Sequence, residues 1–350
     1  MDNHYTQFSG NNPFGSQAKM CFHSDRLFDY LNKGDCKPVF AEVNLSSVCN
    51  LKCKWCISSN FTQKDVLNKR VFVGFVKGFT DMGGKAITFS GGGEPTLHLD
   101  FDSFVVITRN YGIELGLMTN GVFADKTDVI GRNCKWVRFS LDTLDKMKYK
   151  KNKGIDAVDI VCNNIRELQP FPIKRGINVN IGEDYTIQEA KDIISFASEY
   201  AEYIQFRPIL PRYFTNEKVL LNKGVWDFLL SLDSSSINLS NDKLSDIQGG
   251  GCLFPYRSCE GHFFSFVLNS NGDILPCMYH PNDDRFVFGN LNNASFEEIW
   301  KSKQRKSVID FLRFEIDMEK ECQMCCKNHE LNKFIQFFKY PTEGLDINFL

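Results

Sequence analysis

The chain has 350 residues, 43% of them apolar including 32 Phe, and a net charge of -2 spread as mixed charges. That length suits one large barrel-like domain, or one of ~200 residues plus a smaller one. The charge balance gives no case for a nucleic-acid or membrane-surface partner. The first 19 residues are polar and lack an apolar targeting core, and no stretch reaches membrane-spanning length, so a cytoplasmic protein is expected.

After an N-terminal segment, 1–38, the pattern alternates between strand and helix. Ala41 to Leu45 is a short apolar alternation, followed by Cys49-Asn-Leu-Lys-Cys53-Lys-Trp-Cys56. Val71 to Phe79 has helical period, and Lys85 to Ser90 is a strand running into Gly91-Gly92-Gly93. Phe101 to Arg109 is a predicted helix, and Ile113 to Met118 a strand ending in Thr119-Asn120-Gly121. Lys135 to Leu141 is a strand, Ile155 to Leu168 a helix, Ile173 to Ile181 a strand and Ile187 to Tyr200 a helix. Tyr203 to Ile209 is a strand and Val225 to Leu232 a helix. About six strands alternating with helices of ~10–15 residues imply βαβ units around a parallel sheet. The cysteine loop, the glycine turn, Asn120-Gly121 and Asp142 each follow a strand. All four are therefore expected on the C-terminal rim, where such barrels place their chemistry.

Ser234-Ser235-Ser236 and Gly249-Gly250-Gly251 bracket a polar stretch that is expected to be a linker. Phe263 to Leu268 and Asp273 to Met278, around Asn271-Gly272, predict a β-hairpin with a two-residue turn. Ala294 to Lys303 and Asn328 to Phe338 are predicted helices. There is no internal repeat.

Thirteen cysteines in a reducing compartment are not expected to pair as disulfides. Thiolates at 49, 53 and 56 can converge on three corners of a small cluster and leave the fourth open. Soft thiolates select zinc, copper(I) or iron–sulfur. Structural zinc wants a closed set of four, and no Cys or His lies between Cys56 and His98. Cys259, Cys277, Cys322 and Cys325 form a second group, by count a zinc or an iron–sulfur site. Cys21, Cys36, Cys134, Cys162, Cys252 and Cys326 are expected in the core. His98, His262, His280 and His329 are expected as packed or surface residues, and Lys52 and Lys54 as solvated neighbours of the cysteine loop.

The Cys49-x3-Cys53-x2-Cys56 loop followed by Ser90-Gly-Gly-Gly-Glu94-Pro95 resembles the radical S-adenosylmethionine superfamily. The resemblance spans roughly residues 39 to 340. It implies an α/β fold, a partial (β/α)6 TIM-like barrel with a small C-terminal α+β domain. It also implies a [4Fe–4S] cluster on the three thiolates, with S-adenosylmethionine on its open iron. Reductive cleavage then gives a 5′-deoxyadenosyl radical that abstracts hydrogen, chemistry that belongs to the cofactor while the protein positions it. By the same resemblance Gly91, Gly92, Gly93 and Glu94 bind the methionine amino group, and Trp55 lies near adenine. Ser140 and Asp142 contact the ribose, and Asn178 or Asn180 with Arg207 make further contacts to nucleoside or substrate. The C-terminal part is similar to the Twitch version of the SPASM extension, whose single auxiliary [4Fe–4S] cluster would fall on Cys259, Cys277, Cys322 and Cys325. Gly272 and the segment Ser295–Trp300 fit the same pattern.

The expected division is therefore an N-terminal segment 1–38, a radical SAM core 39–235, and a linker with the auxiliary-cluster domain 236–350. The expected activity is hydrogen abstraction from a small polar metabolite of sugar or aminocyclitol type, giving oxidation or epimerisation. An external one-electron reductant such as flavodoxin or ferredoxin would drive it. Modification of a ribosomally made peptide is the alternative, with Cys252, Cys326, Cys134 or Cys162 as candidate hydrogen donors for an epimerase. A non-catalytic metal-binding module is the alternative of another class. No catalytic residue is assigned.

Overall fold

The structure is a computed structural model that describes residues 19–59, 64–209, 222–232, 234–239, 254, 256–322 and 328–340. Its strands are β1 Phe40–Asn44, β2 Ala86–Ser90, β3 Glu114–Thr119, β4 Trp136–Ser140, β5 Lys174–Ile181, β6 Tyr203–Pro208, β7 Ile237–Leu239, β8 Ser265–Leu268, β9 Asp273–Leu275 and β10 Gly289–Asn290. They form one sheet in the order β10-β9-β8-β1-β2-β3-β4-β5-β6-β7. Pairing is parallel from β8 through to β7 and antiparallel at β8–β9 and β9–β10. The α/β partial barrel expected from the sequence is what the chain adopts.

The helices are α1 Ser24–Lys33, α2 Lys69–Asp81, α3 Phe101–Asn110, α4 Thr127–Asn133, α5 Lys146–Lys153, α6 Val158–Glu167, α7 Ile187–Tyr200, α8 Lys223–Leu230, α9 Phe296–Trp300, α10 Lys303–Phe314, α11 Met318–Glu321 and α12 His329–Lys339. Local chemistry sets many of their ends. Asn68 caps α2 by accepting the Arg70 N–H, and Thr186 and Glu189 form a reciprocal capping box on α7. In α2 the residues Phe72, Phe75, Val76 and Phe79 recur at helical spacing and are fully buried. Phe75 and Phe79 meet Phe266 of β8 and Phe296 of α9 edge to face, joining the first helix of the barrel to the C-terminal part.

The strands alternate. Ala41, Val43, Ile87, Phe89, Leu117, Val137, Phe139, Ile177, Val179 and Phe206 point to the helices and are fully buried. Their neighbours on the opposite, inner face are polar: Glu42, Asn44, Thr88, Ser90, Arg138, Ser140, Asn178, Asn180, Gln205 and Asn238. A parallel sheet covered on both faces normally reads as continuous apolar runs. Here one face is a dry core and the other a polar lumen.

Three features differ from expectation. Ile237–Leu239 pairs with β6 in the stretch read as a linker, because it continues the parallel ladder beyond the serine run. The hairpin closes through Ser270-Asn271-Gly272, with Gly272 at φ 94° and its N–H bonded to the Asn269 carbonyl. That is a three-residue loop rather than the predicted two-residue turn. The predicted helix Ala294–Lys303 ends at Trp300, and α10 starts afresh where the Ser302 side chain accepts the Arg305 N–H. Gly249-Gly250-Gly251 lies outside the described residues.

Candidate active site

The four expected motifs do meet at the C-terminal ends of the parallel strands. The cysteine loop leaves β1 and is held from two sides. On one side the N–H groups of Lys52 and Lys54 donate to the carbonyls of Lys153 (2.8 Å) and Asn152 (3.0 Å) at the end of α5. On the other, Asn120 beyond β3 donates through Nδ2 to Asn50 Oδ1 at 2.7 Å, with Cys49 Sγ at 3.7 Å. The Leu51 N–H also points at Cys49 Sγ, 3.4 Å away.

The glycine turn packs directly on the loop. The Gly93 N–H donates to the Ser46 carbonyl at 2.8 Å and the Glu94 N–H to the Val48 carbonyl at 2.9 Å. A Cβ on Gly93 would stand 2.1 Å from the Val48 oxygen, and one on Gly91 would stand 1.9 Å from the Gly93 oxygen. These glycines are required by close backbone approach.

Glu94 is turned inward. Oε1 accepts the Thr96 hydroxyl (2.7 Å), the Thr96 N–H (3.2 Å) and the Thr119 hydroxyl (2.7 Å), while Oε2 accepts the Asn120 N–H (2.7 Å). Burial pushes its pKa up and these four bonds pull it back. A carboxylate has about four lone-pair sites, and those of Oε1 are filled. Any ligand ammonium would meet Oε2.

Asp142, expected at the ribose, has both oxygens engaged within the chain. Oδ1 accepts the backbone N–H (2.8 Å) and side-chain amide (2.9 Å) of Asn180, and Oδ2 stands 2.7 Å from Lys153 Nζ. Lys153 also donates to the Ser140 carbonyl at 3.0 Å and lies over the Tyr149 ring. Burial would lower the Lys153 pKa, but Asp142 outweighs it and holds the lysine protonated. Asn178 lines the lumen between Ser140 and Gln205. Arg138 donates through Nη1 to the Gln205 side-chain Oε1 at 3.0 Å. Arg207 lies at the end of β6, and Trp55 is half-buried in the cysteine loop.

Cys53 is pushed up to about 11 by burial, with Cys56 and Cys49 adding to the rise and Lys153 opposing it. The three thiols therefore stand within electrostatic reach of one another. The second group behaves likewise. Cys277 is pushed up to about 12 by burial and by Cys259 and Cys322. Asn332 of α12 points its amide at Cys259 Sγ, 3.7 Å away, and accepts the Glu260 and Gly261 N–H groups. Cys325, Cys326 and Cys252 lie outside the described residues.

Among the described residues no three Cys, His, Asp or Glu groups are spaced to hold one metal ion. A cluster, with one thiolate to each iron, spaces its sulfurs more widely than a single ion does. The described thiols are soft donors of the kind that iron–sulfur clusters take, and coordination would deprotonate them.

Two family profiles match the chain. One, described as the radical SAM superfamily, matches residues 43–197. The other, SPASM, described as an iron-sulfur cluster-binding domain, matches residues 259–326. The chain thus carries a radical SAM domain followed by a SPASM-type domain. Its cofactors are accordingly [4Fe–4S] clusters and S-adenosylmethionine. The chain is 27% identical over 325 residues to a cysteine-type anaerobic sulfatase-maturating enzyme of Clostridium novyi, covering 80% of this chain and 83% of that protein. It is 23% identical over 263 residues to a GTP 3′,8-cyclase of Aliarcobacter butzleri, covering 69% and 80%. The fold is shared with Streptococcus suis SuiB bound to S-adenosylmethionine, at TM-score 0.64 and 16% identity over 86% of this chain and 74% of that one. It is shared too with anSMEcpe with bound AdoMet, at TM-score 0.61 and 18% identity over 86% and 96%.

The sequence places Asn120 on the rim without revealing its contact to the cysteine loop, and it does not single out Lys153, one of five lysines in α5. It also missed the polar inner face, whose signal is the alternation Gly-Ile-Asn-Val-Asn-Ile in β5. Cys134 and Cys162 lie in the helix-side core, away from the lumen. His98 and His280 are packed, the first bonded to Leu67 and Asp100 and the second stacked on Phe286. Among the described residues no helix is long and apolar enough to cross a membrane.

Proposed function

We propose that this radical SAM enzyme abstracts hydrogen from a small polar metabolite of sugar or aminocyclitol type and oxidises or epimerises it. Cys49, Cys53 and Cys56 would hold the [4Fe–4S] cluster on which S-adenosylmethionine sits. Cys259, Cys277, Cys322 and Cys325 would hold an auxiliary cluster. When bound, the cofactors supply reductive cleavage of S-adenosylmethionine and a hydrogen-abstracting 5′-deoxyadenosyl radical, with an external reductant such as flavodoxin or ferredoxin as the electron source. The chain's own part is placement. The Gly91–Gly93 turn would approach the methionine amino group, with Glu94 Oε2 its acceptor. Trp55, Ser140, Asn178 and Arg207 would line the nucleoside, with Asp142, held by Asn180 and Lys153, behind them.

The observation that carries the substrate class is the polar lumen. Asn44 Oδ1 and Asn178 Oδ1 are buried acceptors with no hydrogen-bond partner. Leaving such an atom unsatisfied costs ~1–3 kcal/mol. A ligand rich in O–H and N–H donors relieves that cost, and an apolar one does not.

A second reading, peptide modification, draws support from SuiB, whose structure includes one bound to the precursor peptide SuiA, and from anSMEcpe bound to a peptide. One experiment separates the two. The chain is reconstituted anaerobically with iron, sulfide and S-adenosylmethionine, reduced, and screened against metabolites and peptides for substrate-dependent 5′-deoxyadenosine. Release stimulated by hydroxylated metabolites supports the first reading. Release stimulated only by peptides overturns it in favour of the second.

A further inference from the structure

We infer that the buried Lys153–Asp142 pair is a positioning and electrostatic device for the cysteine loop, with the Lys153 ammonium setting the reduction potential of the cluster there. The inference rests on the reading that Cys49, Cys53 and Cys56 hold that cluster.

Three observations place Lys153 at the loop. Its side chain is 3% exposed, against 4% for Asp142, at a separation of 2.7 Å. Its own carbonyl accepts the Lys52 N–H at 2.8 Å, one residue before Cys53. Its charge acts on the Cys53 sulfur more strongly than that of Asp142 does. The same residue thus anchors the loop through its backbone and faces it with its charge.

The rest of α5 makes this placement specific. Lys146 pairs with Asp159 and Lys151 with Asp184 at the surface, and Lys148 with Glu189 in a partly buried pair. Lys153 alone turns inward, where Asp145 starts the helix and Gly154, at φ 93°, ends it. A buried cation is costly unless paired and bonded. Asp142 and the Ser140 carbonyl meet that need, and Asn180 in turn fixes Asp142. What remains is an ion pair whose cationic end acts on Cys53 more strongly than its anionic end, in a low-dielectric setting where charge and hydrogen bonding set a cluster's potential. Positive charge favours the reduced, more negative cluster.

The test uses the full chain, reconstituted anaerobically, with redox titration followed by EPR. The signal that S-adenosylmethionine perturbs reports the loop cluster. Lys153→Met should move its midpoint to more negative potential, and Asp142→Asn to more positive potential. Lys153→Arg should leave it near the unsubstituted value. A merely structural pair would shift neither midpoint and would lower iron content in both variants. That result, or shifts of the same sign, overturns the inference. Should Lys153→Met bind no cluster, the sign of the Asp142→Asn shift decides alone, an unchanged or more negative midpoint overturning it. Absence of any S-adenosylmethionine-perturbed signal in the unsubstituted chain overturns the cluster reading itself, and this inference with it.

Discussion

The Glu94 carboxylate accepts the backbone N–H of Asn120 at 2.7 Å, and this bond ties the turn after β2 to the end of β3. Asn120 then reaches Asn50 beside Cys49, so one chain of contacts runs from the glycine turn to the cysteine loop. Glu94→Gln places amide hydrogens against a cluster of donors. It should cost ~1–3 kcal/mol, and it should weaken S-adenosylmethionine binding because the Gly91–Gly93 backbone loses its brace. Anaerobic calorimetry and a thermal melt check both. Unchanged affinity with lowered stability would confine Glu94 to a structural role.

Gly93→Ala puts a methyl where the Val48 carbonyl oxygen already sits, 2.1 Å from the ideal Cβ. Either the loop or the turn must move. The expected result is loss of the S-adenosylmethionine-perturbed cluster signal with the auxiliary cluster kept. Gly74→Ala is the opposite control. Gly74 lies exposed within α2 with nothing within 4 Å of its Cβ, so alanine should stabilise the helix by ~0.5–1 kcal/mol. Melting temperatures and iron assays on the two variants make the comparison.

The parts legible in the sequence were those written in periodicity. The cysteine spacing, the Gly91–Glu94 turn and the alternation of strand and helix all depend on near neighbours, and the rim they predict is present. β7 was not legible because Ile237–Leu239 is three residues beside a serine run and becomes a strand only through β6. α5 was missed because Lys-Met-Lys-Tyr-Lys-Lys-Asn-Lys has no apolar stripe. Its helix is set by the Asp145 cap and the Gly154 stop. The engagement of Asp142 was hidden for a related reason. Only folding brings the Lys153 ammonium and the Asn180 amide onto one carboxylate.

Two clusters of four irons require about eight irons per chain. Substituting Cys49, Cys53 and Cys56 together by Ala should leave about four. Substituting Cys259 and Cys277 by Ala should also leave about four, with the S-adenosylmethionine-perturbed signal intact. Iron and sulfide assays with EPR check the assignment. About one zinc in place of four irons at the second group would reassign it as a structural site.

Arg305 of α10 ties the C-terminal helices to the segment that leads into β1. Its side chain is 3% exposed, and Nη1 and Nη2 donate to the two Asp35 oxygens at 2.8 Å each. The guanidinium lies 3.9 Å over the Trp300 ring, while Trp300 Nε1 donates to the Cys36 carbonyl at 3.1 Å. Removing one partner of a buried pair typically costs ~3–5 kcal/mol. Asp35 is half exposed, which places Asp35→Asn toward the low end. Arg305→Lys keeps the charge but loses the planar fork and the stacking, so it should destabilise as well. Denaturant unfolding of the holo chain measures both. Wild-type stability in Arg305→Lys would mean that charge alone holds the joint.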